Sequence, residues 1–335
     1  MTLRTDEFDY ELPTASIAQR PAAPRESARL LDCRGMDDRH FFELPGMLDE
    51  GDLVVLNTTK VRAARLRGTR DSGGAVEVLL LSENVDGEWE ALIRPARRVR
   101  PGLRLLFGTA NAIVLERPES GRTMLRFDED VEKLAGEVGE MPLPPYITAP
   151  LADPSEYQTV FAKELGSAAA PTAGLHFSTG VLAEFADRGV DVASIDLQVG
   201  VDTFRPIAEE TIDAHRMHSE RFVVPPETAT AFEMTKRRGG KVVAIGTTVV
   251  RALESAVAYG RLRPGPASTE LFIRPGYRFG AVDAVVTNFH VPRSTLIVLV
   301  AALVGEMRWK HIYETALERG YRFLSFGDAM FAERA

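Results

Sequence analysis

Lys241-Val-Val-Ala-Ile-Gly246-Thr-Thr-Val-Val-Arg251 is predicted to form a buried strand, a glycine turn and the start of a helix. Its first residues are mostly apolar and β-branched, which is typical of a strand covered on both faces. Thr247 or Thr248 is expected to cap the helix, in which apolar residues recur at helical spacing. A ligand at this turn is the functional interpretation, and simple helix capping is the alternative.

The alternation of strand and helix extends over the chain from residue 153 onward. Strands are predicted at 190–197, 272–273, 282–286 and 322–326, and helices at 178–188, 226–238, 294–304 and 308–319. A further buried strand is predicted at 52–57. Alternation of this kind predicts a mixed α/β domain.

Residues 62 to about 140 have a different sequence pattern. Short β-rich runs there are separated by turn residues such as Ser72-Gly73-Gly74 and Pro101-Gly102. Several strands at regular spacing predict a small all-β barrel or sandwich.

Composition bounds the class of protein. Hydrophobic residues make up 45% of the chain and charged residues 26%, as in folded globular proteins. Cys33 is the single cysteine, so no disulfide within the chain and no cysteine metal cluster is possible, which fits a cytoplasmic location. The longest apolar run, 296–304, is too short to span a bilayer, so no membrane association is expected.

Charge is spread unevenly over the chain. The formal net charge is −8, yet residues 60–104 contain ten basic and six acidic residues, which leaves +4 there and −12 elsewhere. Such a basic region can bind a polyanion, although a solvated arginine-rich face is the alternative.

Three polar segments contain histidines: 171–177, 213–220 and 287–295. In the first, small residues would let a ligand approach the backbone and His176 could titrate, although a hydrogen-bonded core histidine is the alternative. In the second, the pair His215 and His218 is a possible metal site, but no third ligand is evident nearby. A catalytic acid–base role for His218, oriented by Ser219 and Glu220, is therefore favoured.

The third segment follows a predicted strand and precedes a predicted helix. This arrangement places Asn288 and His290 at the carboxyl end of a strand and Ser294 at a helix N-terminus, where α/β folds bind anionic ligands. A last cluster, 325–331, could contribute the carboxylate of Asp328. Dinucleotide-binding, P-loop and serine-hydrolase motifs are absent from the sequence.

Taken in order, these segments resemble the S-adenosylmethionine:tRNA ribosyltransferase-isomerase family of queuosine biosynthesis. The resemblance runs over nearly the whole chain through Phe8-Asp-Tyr-Glu-Leu-Pro13, Gly51-Asp-Leu-Val-Val-Leu-Asn57, Met141-Pro-Leu-Pro-Pro-Tyr146, Ala169-Ala-Pro-Thr-Ala-Gly-Leu-His-Phe177, Met217-His-Ser-Glu220, Ala244-Ile-Gly-Thr-Thr-Val-Val-Arg251, Thr287-Asn-Phe-His290 and Gly327-Asp-Ala-Met330. It implies an α/β domain, residues 1–61 and 147–335, into which a small β-barrel domain, residues 62–146, is inserted.

The resemblance also implies a reaction. The ribosyl part of S-adenosylmethionine moves to 7-aminomethyl-7-deazaguanine at the wobble position of tRNA, leaving epoxyqueuosine and releasing adenine and methionine. S-adenosylmethionine is then a consumed substrate, and neither a cofactor nor a metal is expected. A monomer is expected, since the sequence has no coiled-coil heptads.

Site residues follow from matching the motifs to this chemistry. The catalytic candidates are His176, His218, His290 and Asp328. The substrate-binding candidates are Pro171, Thr172, Gly174, Gly246, Thr247, Thr248, Arg251, Asn288 and Ser294, with Arg251 or Ser294 expected to receive the methionine carboxylate. The candidates for contact with tRNA are Arg62, Arg65, Arg94, Arg97 and Arg98.

The chain departs from the family pattern at a few positions. Gln198 stands where the family has a histidine, and Asp202 stands where it has a glycine. The alternative hypotheses are a divergent paralogue that uses S-adenosylmethionine with a small-molecule nucleoside acceptor, and a non-catalytic RNA-binding protein.

Overall fold

The computed structural model describes residues 3–116, 122–200, 203 and 205–335 of the chain. Asp202, one of the departures from the family pattern, therefore lies outside the described residues. The chain divides into two compact units. The α/β unit comprises Met1–Thr59, Pro144–Glu164 and Ala170–Ala335, and the barrel unit comprises Lys60–Leu143 and Leu165–Ala169.

The secondary structure of the described residues has these bounds. The strands are β1 (Arg29–Asp32), β2 (Asp37–His40), β3 (Leu53–Asn57), β4 (Thr59–Val61), β5 (Arg65–Arg70), β6 (Ala75–Glu83), β7 (Trp89–Arg94), β8 (Arg104–Phe107), β9 (Ala110–Glu116), β10 (Thr123–Phe127), β11 (Gly139–Glu140), β12 (Glu164–Ser167), β13 (Asp191–Leu197), β14 (Glu220–Val224), β15 (Val242–Ile245), β16 (Val257–Ala258), β17 (Arg261–Leu262), β18 (Gly265–Thr269), β19 (Ala284–Asn288) and β20 (Ala329–Glu333). The α-helices are α1 (Val131–Val138), α2 (Thr179–Asp187), α3 (Pro226–Arg238), α4 (Thr247–Ala256), α5 (Thr295–Val304) and α6 (Glu306–Glu318).

The α/β unit is built on a nine-stranded sheet in the order β18-β14-β13-β3-β15-β19-β20-β1-β2. Its four central strands, β13, β3, β15 and β19, are parallel, whereas β20 runs antiparallel to β19. Every residue of β3, β15 and β19 is buried, as expected for parallel strands that are covered on both faces. Because β15 and β19 are parallel neighbours, their carboxyl ends meet at the same edge of the sheet.

Local signals set the helices that flank this sheet. Ser178 and Ser294 cap α2 and α5 by accepting the backbone N–H groups of Val181 and Ile297. Gly239 ends α3 in the left-handed conformation, with φ of 79°. The predicted mixed α/β fold class is thus confirmed.

Two of the predicted strands are wrong. Residues 272–273 are not in a strand, and residues 322–326 form a turn with a single bridge at Phe323. The aromatic rings of this turn fill an aromatic core instead, with Phe323 stacked 4.8 Å from Phe289. The strand that pairs with β19 and β1 is β20, a few residues later.

The barrel unit is a closed sheet of six strands in the order β5-β6-β7-β10-β9-β8, and β8 pairs back onto β5. Side chains such as Leu66, Val78 and Leu125 alternate with exposed ones and fill its interior. Gly68 permits the closure, because a β-carbon there would lie 2.3 Å from the carbonyl oxygen of Leu106. The helix α1, which is absent from the sequence-based prediction, is capped by Asp130 and packs Val131 and Leu134 into the barrel core.

Candidate active site

A cavity of about 560 Å³, open solvent included, lies at the carboxyl ends of β15 and β19. Ligand sites of α/β folds are commonly found at this edge of the sheet. Eight residues selected from the sequence line it: Pro171, Thr172, Gly246, Thr247, Thr248, Asn288, His290 and Ser294. The structure therefore gathers residues of three distant segments around one space.

The start of α4 forms one wall of the cavity. Gly246 has φ of 92°, a conformation that favours glycine and turns the chain from β15 into the helix. Among the described residues, no side chain caps this helix start. Thr247 and Thr248, the first residues of this helix, line the cavity, and a helix N-terminus of this kind attracts an anion.

Thr172, Asn288 and His176 form a chain of hydrogen bonds that leads away from the cavity. The Thr172 hydroxyl donates to Asn288 Oδ1 at 2.8 Å, and Asn288 Nδ2 lies 3.2 Å from His176 Nε2. Asn288 Nδ2 also donates to the carbonyl oxygen of Asp328 at 3.5 Å, which fixes the orientation of the amide. His176 Nε2 is thus an acceptor, and His176 lies behind the cavity wall.

The imidazole of His176 is neutral at pH 7, because burial lowers its pKa to about 4 against the opposing charge of Asp328. It packs on Phe41, with the ring centroids 5.0 Å apart. These contacts favour a role in which His176 holds Asn288 in position.

His290 is the member of the predicted histidine set that lines the cavity. Its Nε2 atom lies 2.9 Å from the Thr287 hydroxyl, and burial lowers its pKa to about 3. Two tyrosines hold its backbone: the Tyr10 hydroxyl donates to the His290 carbonyl oxygen at 2.5 Å, and the His290 N–H donates to the Tyr313 hydroxyl at 3.1 Å. The imidazole is therefore neutral and held in a fixed place.

His218 lies in a separate polar cluster with Glu220 and Arg251. His218 Nε2 is 3.2 Å from Glu220 Oε1, and the Arg251 guanidinium forms an ion pair with Glu220 Oε2. Burial alone would raise the pKa of Glu220, but the contact with His218 and the charge of Arg251 hold it below its usual value. Arg251 also donates to the carbonyl oxygen of Leu271 at 3.2 Å, so its donors are engaged within the protein.

Three further candidates have structural partners. The Asp328 carboxylate accepts the backbone N–H groups of Arg29 and Arg322 and pairs with the Arg322 guanidinium at 3.1 Å. Gly174 makes room for Phe161, since a β-carbon there would lie 2.8 Å from Phe161 Cζ. Ser294 lines the cavity, but its hydroxyl oxygen caps α5.

Sequence reasoning missed several cavity residues, among them Tyr146, Thr203 and Ser325. The Tyr146 and Ser325 hydroxyls lie 2.8 Å apart, although the residues are 179 positions apart in the sequence. Tyr146 stands in a motif that carries the family resemblance, and Ser325 begins the polar cluster 325–331, so these are the signals that could have found them. Gln198 lines a different, open groove with Arg221 and Ser268, whereas its neighbour Val199 lines the cavity.

The five predicted tRNA-contact arginines fall into two groups. Arg62 pairs with Glu132 and lies 4.7 Å over the Trp89 ring, and Arg65 donates to the Leu143 carbonyl oxygen at 3.1 Å. Arg94, Arg97 and Arg98 are exposed and make no ion pair with any residue that the structure describes.

Among the described residues, no group of three or more His, Cys, Asp or Glu side chains could hold a metal ion. Within the pair considered above, His215 Nδ1 contacts Glu209 at 3.0 Å while His218 contacts Glu220, so different carboxylates engage the two rings. No helix among the described residues is long and apolar enough to cross a membrane.

Comparison with known proteins gives full-length matches. The model of the family described as "Queuosine biosynthesis protein" matches residues 5–332. S-adenosylmethionine:tRNA ribosyltransferase-isomerase of Moorella thermoacetica is 49% identical over 98% of this chain and 99% of its own length. The protein of the same name from Rubrobacter xylanophilus is 50% identical over 98% and 97%.

A solved structure is also similar. The crystal structure of S-adenosylmethionine tRNA ribosyltransferase from Thermotoga maritima matches with a TM-score of 0.56 and 35% identity, over 97% of this chain and 99% of that one.

Proposed function

The chain belongs to the queuosine biosynthesis protein family, and we propose that it transfers and isomerises the ribosyl group of S-adenosylmethionine onto 7-aminomethyl-7-deazaguanine at the wobble position of tRNA. Adenine and methionine leave, and epoxyqueuosine-tRNA is the product. The observation that carries the proposal is the convergence of Thr172, Gly246, Asn288 and His290 on one cavity. The relatives' shared name supports the same reaction.

His290 is the proposed proton-transfer residue. The sulfonium of S-adenosylmethionine acidifies the neighbouring C5′ protons, so the reaction needs a base there and an acid where adenine leaves. His290 lines the cavity, and its neutral imidazole carries a lone pair for a proton, although the pKa of about 3 makes it a weak base before the substrate binds. Its contact with Thr287 and the two tyrosines at its backbone fix its position.

The N-terminus of α4 is the proposed site for the methionine carboxylate. Its backbone N–H groups follow Gly246 at the cavity wall, and the helix dipole there favours an anion. Arg251 is a weaker candidate because Glu220 already engages its guanidinium, and Ser294 is weaker because its hydroxyl caps α5. In this proposal S-adenosylmethionine is consumed as a substrate, and no cofactor takes part.

The decisive experiment incubates the protein with S-adenosylmethionine and tRNA that carries the deazaguanine precursor. We expect release of adenine and a mass gain on the modified nucleoside, and no reaction with tRNA that carries guanine at the same position. The change His290→Asn is expected to lower kcat about a hundredfold or more, since proton transfer by one side chain contributes that much. His311→Asn, which alters an exposed side chain on α6, is the matched control.

Two outcomes would contradict the proposal. Release of adenine without tRNA, and with no tRNA product, would favour the paralogue that acts on a small-molecule nucleoside. Binding of tRNA without any turnover of S-adenosylmethionine would favour the non-catalytic RNA-binding protein.

A further inference from the structure

A buried ion pair lies behind the cavity wall and has no assigned role in the proposed reaction. Glu220 on β14 is 2% exposed and Arg251 on α4 is 4% exposed. Arg251 lies one helical turn after Thr247 and Thr248, which line the cavity. Burying two charges costs free energy that is recovered only when further hydrogen bonds satisfy them, so the remaining partners of Glu220 matter.

Thr203 is the partner that joins the ion pair to the cavity. It lines the cavity, and its hydroxyl donates to Glu220 Oε1 at 3.3 Å. An ionised carboxylate has no proton to give, so Thr203 must be the donor in this bond. The remaining lone pairs of the Thr203 hydroxyl are then available only for accepting a hydrogen bond.

We infer that Glu220 is a positioning residue that makes Thr203 a hydrogen-bond acceptor for an N–H or O–H group of S-adenosylmethionine. The inference rests on the proposed function, because it names S-adenosylmethionine as the ligand. Arg251 keeps the buried carboxylate ionised and in place. The ammonium, the adenine amino group and the ribose hydroxyls of the ligand all supply suitable donors.

A second threonine that lines the cavity, Thr172, repeats this arrangement with neutral groups. The Thr172 hydroxyl donates to Asn288 Oδ1 and so also has only lone pairs left for a ligand. Two threonine hydroxyls in one cavity thus have their protons committed to buried partners. A ligand rich in hydrogen-bond donors is the complement of such a wall.

The nearest alternative is that Glu220 serves only to join β14, α4 and His218. His218 Nε2 lies 3.2 Å from Glu220 Oε1, the same oxygen that accepts from Thr203. That purely structural role does not require the Thr203 hydroxyl, whereas the inferred role does.

The test compares Thr203→Val with Thr203→Ser, two changes that alter no charge. The Kd for S-adenosylmethionine, measured by calorimetry, is expected to be about tenfold higher for the valine variant, which is the usual effect of losing one hydrogen bond to a ligand. KM for S-adenosylmethionine should rise in parallel while kcat changes less. The serine variant keeps the hydroxyl and is expected to stay within about twofold of the unaltered protein.

A double-mutant cycle with Glu220→Gln tests whether Glu220 acts through Thr203. If it does, Glu220→Gln weakens binding in the unaltered protein but adds little in the Thr203→Val background. The inference would be overturned if the two substitutions weakened binding independently, so that their fold-changes in Kd multiplied in the double variant. It would also be overturned by a valine variant that binds as tightly as the unaltered protein. If Glu220→Gln does not fold, the valine and serine pair still decides.

The two proposals fail in different ways. An unaltered protein that neither binds nor turns over S-adenosylmethionine removes the proposed function, and this inference with it. An unaltered protein that turns over S-adenosylmethionine, with a valine variant of equal affinity, removes this inference alone.

Discussion

Near the cavity of the α/β unit, Glu220 and Arg251 form a buried ion pair, whereas the arginines at and just after the end of β7 in the barrel unit are exposed and have no ion-pair partner among the described residues. Glu220 and Arg251 are almost inaccessible to solvent and bind each other. Arg94, Arg97 and Arg98 are exposed and form no ion pair with the described residues.

A buried, paired charge and an exposed, unpaired charge have different capacities for stabilising the fold and for binding a ligand. A buried pair is held by low-dielectric surroundings and fixes the groups around it, but it has no capacity left for a ligand. An exposed arginine without a partner adds little to stability, yet it keeps its full capacity to bind a phosphate. The same residue type therefore predicts different functions in the two regions.

The largest expected effect comes from making the same substitution in both regions. Arg251→Met leaves Glu220 buried without a counter-charge and is expected to lower the free energy of unfolding by about 3–5 kcal/mol. Arg97→Met, on the exposed segment, is expected to change it by no more than about 0.5 kcal/mol. Urea unfolding at pH 7 measures both, and equal losses of unfolding free energy would show that burial does not set the cost of losing the charge.

A second test forces a neutral buried group near the cavity to become charged. The folded protein holds His176 at a pKa of about 4, below the ordinary value of 6.5, so between these values the unfolded chain binds more protons. Stability from this group is complete above pH 6.5 and is lost as the pH falls towards 4, by roughly 3 kcal/mol in all.

Unfolding by urea between pH 7 and pH 4 checks this prediction. The variant His176→Gln keeps a polar side chain beside Asn288 but has nothing to titrate, so its stability should fall less steeply with acid. Parallel curves for the two proteins would show that His176 is not the group responsible.

A third, smaller effect concerns the exposed arginines and tRNA. Arg97→Gln combined with Arg98→Gln is expected to weaken tRNA binding about tenfold and to lower the salt slope of log K by about 2, one for each lost phosphate contact. Arg67→Gln is the matched control in the same unit, since Glu140 already pairs with Arg67 at 2.9 Å. Binding titrations at several salt concentrations measure the slope, and equal slopes for all proteins would remove this surface from the tRNA site.

The smallest expected effect shows how much an ion pair contributes to stability when it is not buried. Arg67 and Glu140 form an ion pair with side chains 62% and 49% exposed. Arg67→Gln is therefore expected to cost less than about 1 kcal/mol, and the difference should vanish in roughly 1 M salt. Urea unfolding at two salt concentrations tests it, and a loss as large as that of Arg251→Met would mean that burial is not the deciding factor.

Much of the fold could be predicted because its signals are local. The bounds of α3 agree with the predicted 226–238, since Pro226 and Gly239 mark its two ends. The predicted strand at 322–326 failed because an apolar run also fits a buried turn, and Leu324 adopts φ of 69° there. Only pairing across the sheet selects β20 as the strand, and local sequence does not encode that pairing.

Only part of the candidate site could likewise be predicted from local sequence. Asn288 and His290 could be placed at a strand end from sequence, and the family resemblance is confirmed by the full-length matches. The pairing of Arg251 with Glu220 and of Asp328 with the backbone of Arg29 could not be predicted, because these partners lie 31 and 299 positions away in the sequence. A charged residue in a motif looks the same whether it will bind a ligand or another part of the chain.

The pairing of β1 with β20 sets an order of events during protein synthesis. Leu30 pairs with Ala329, and β20 also lies between β1 and β19, so the nine-stranded sheet stays incomplete until residue 333 has left the ribosome. The six barrel strands, all between residues 65 and 127, are translated much earlier. On stalled ribosomes, nascent chains that expose residues 1–328 should resist protease in the barrel unit and be cut in the α/β unit. Equal protection of both units would contradict this order.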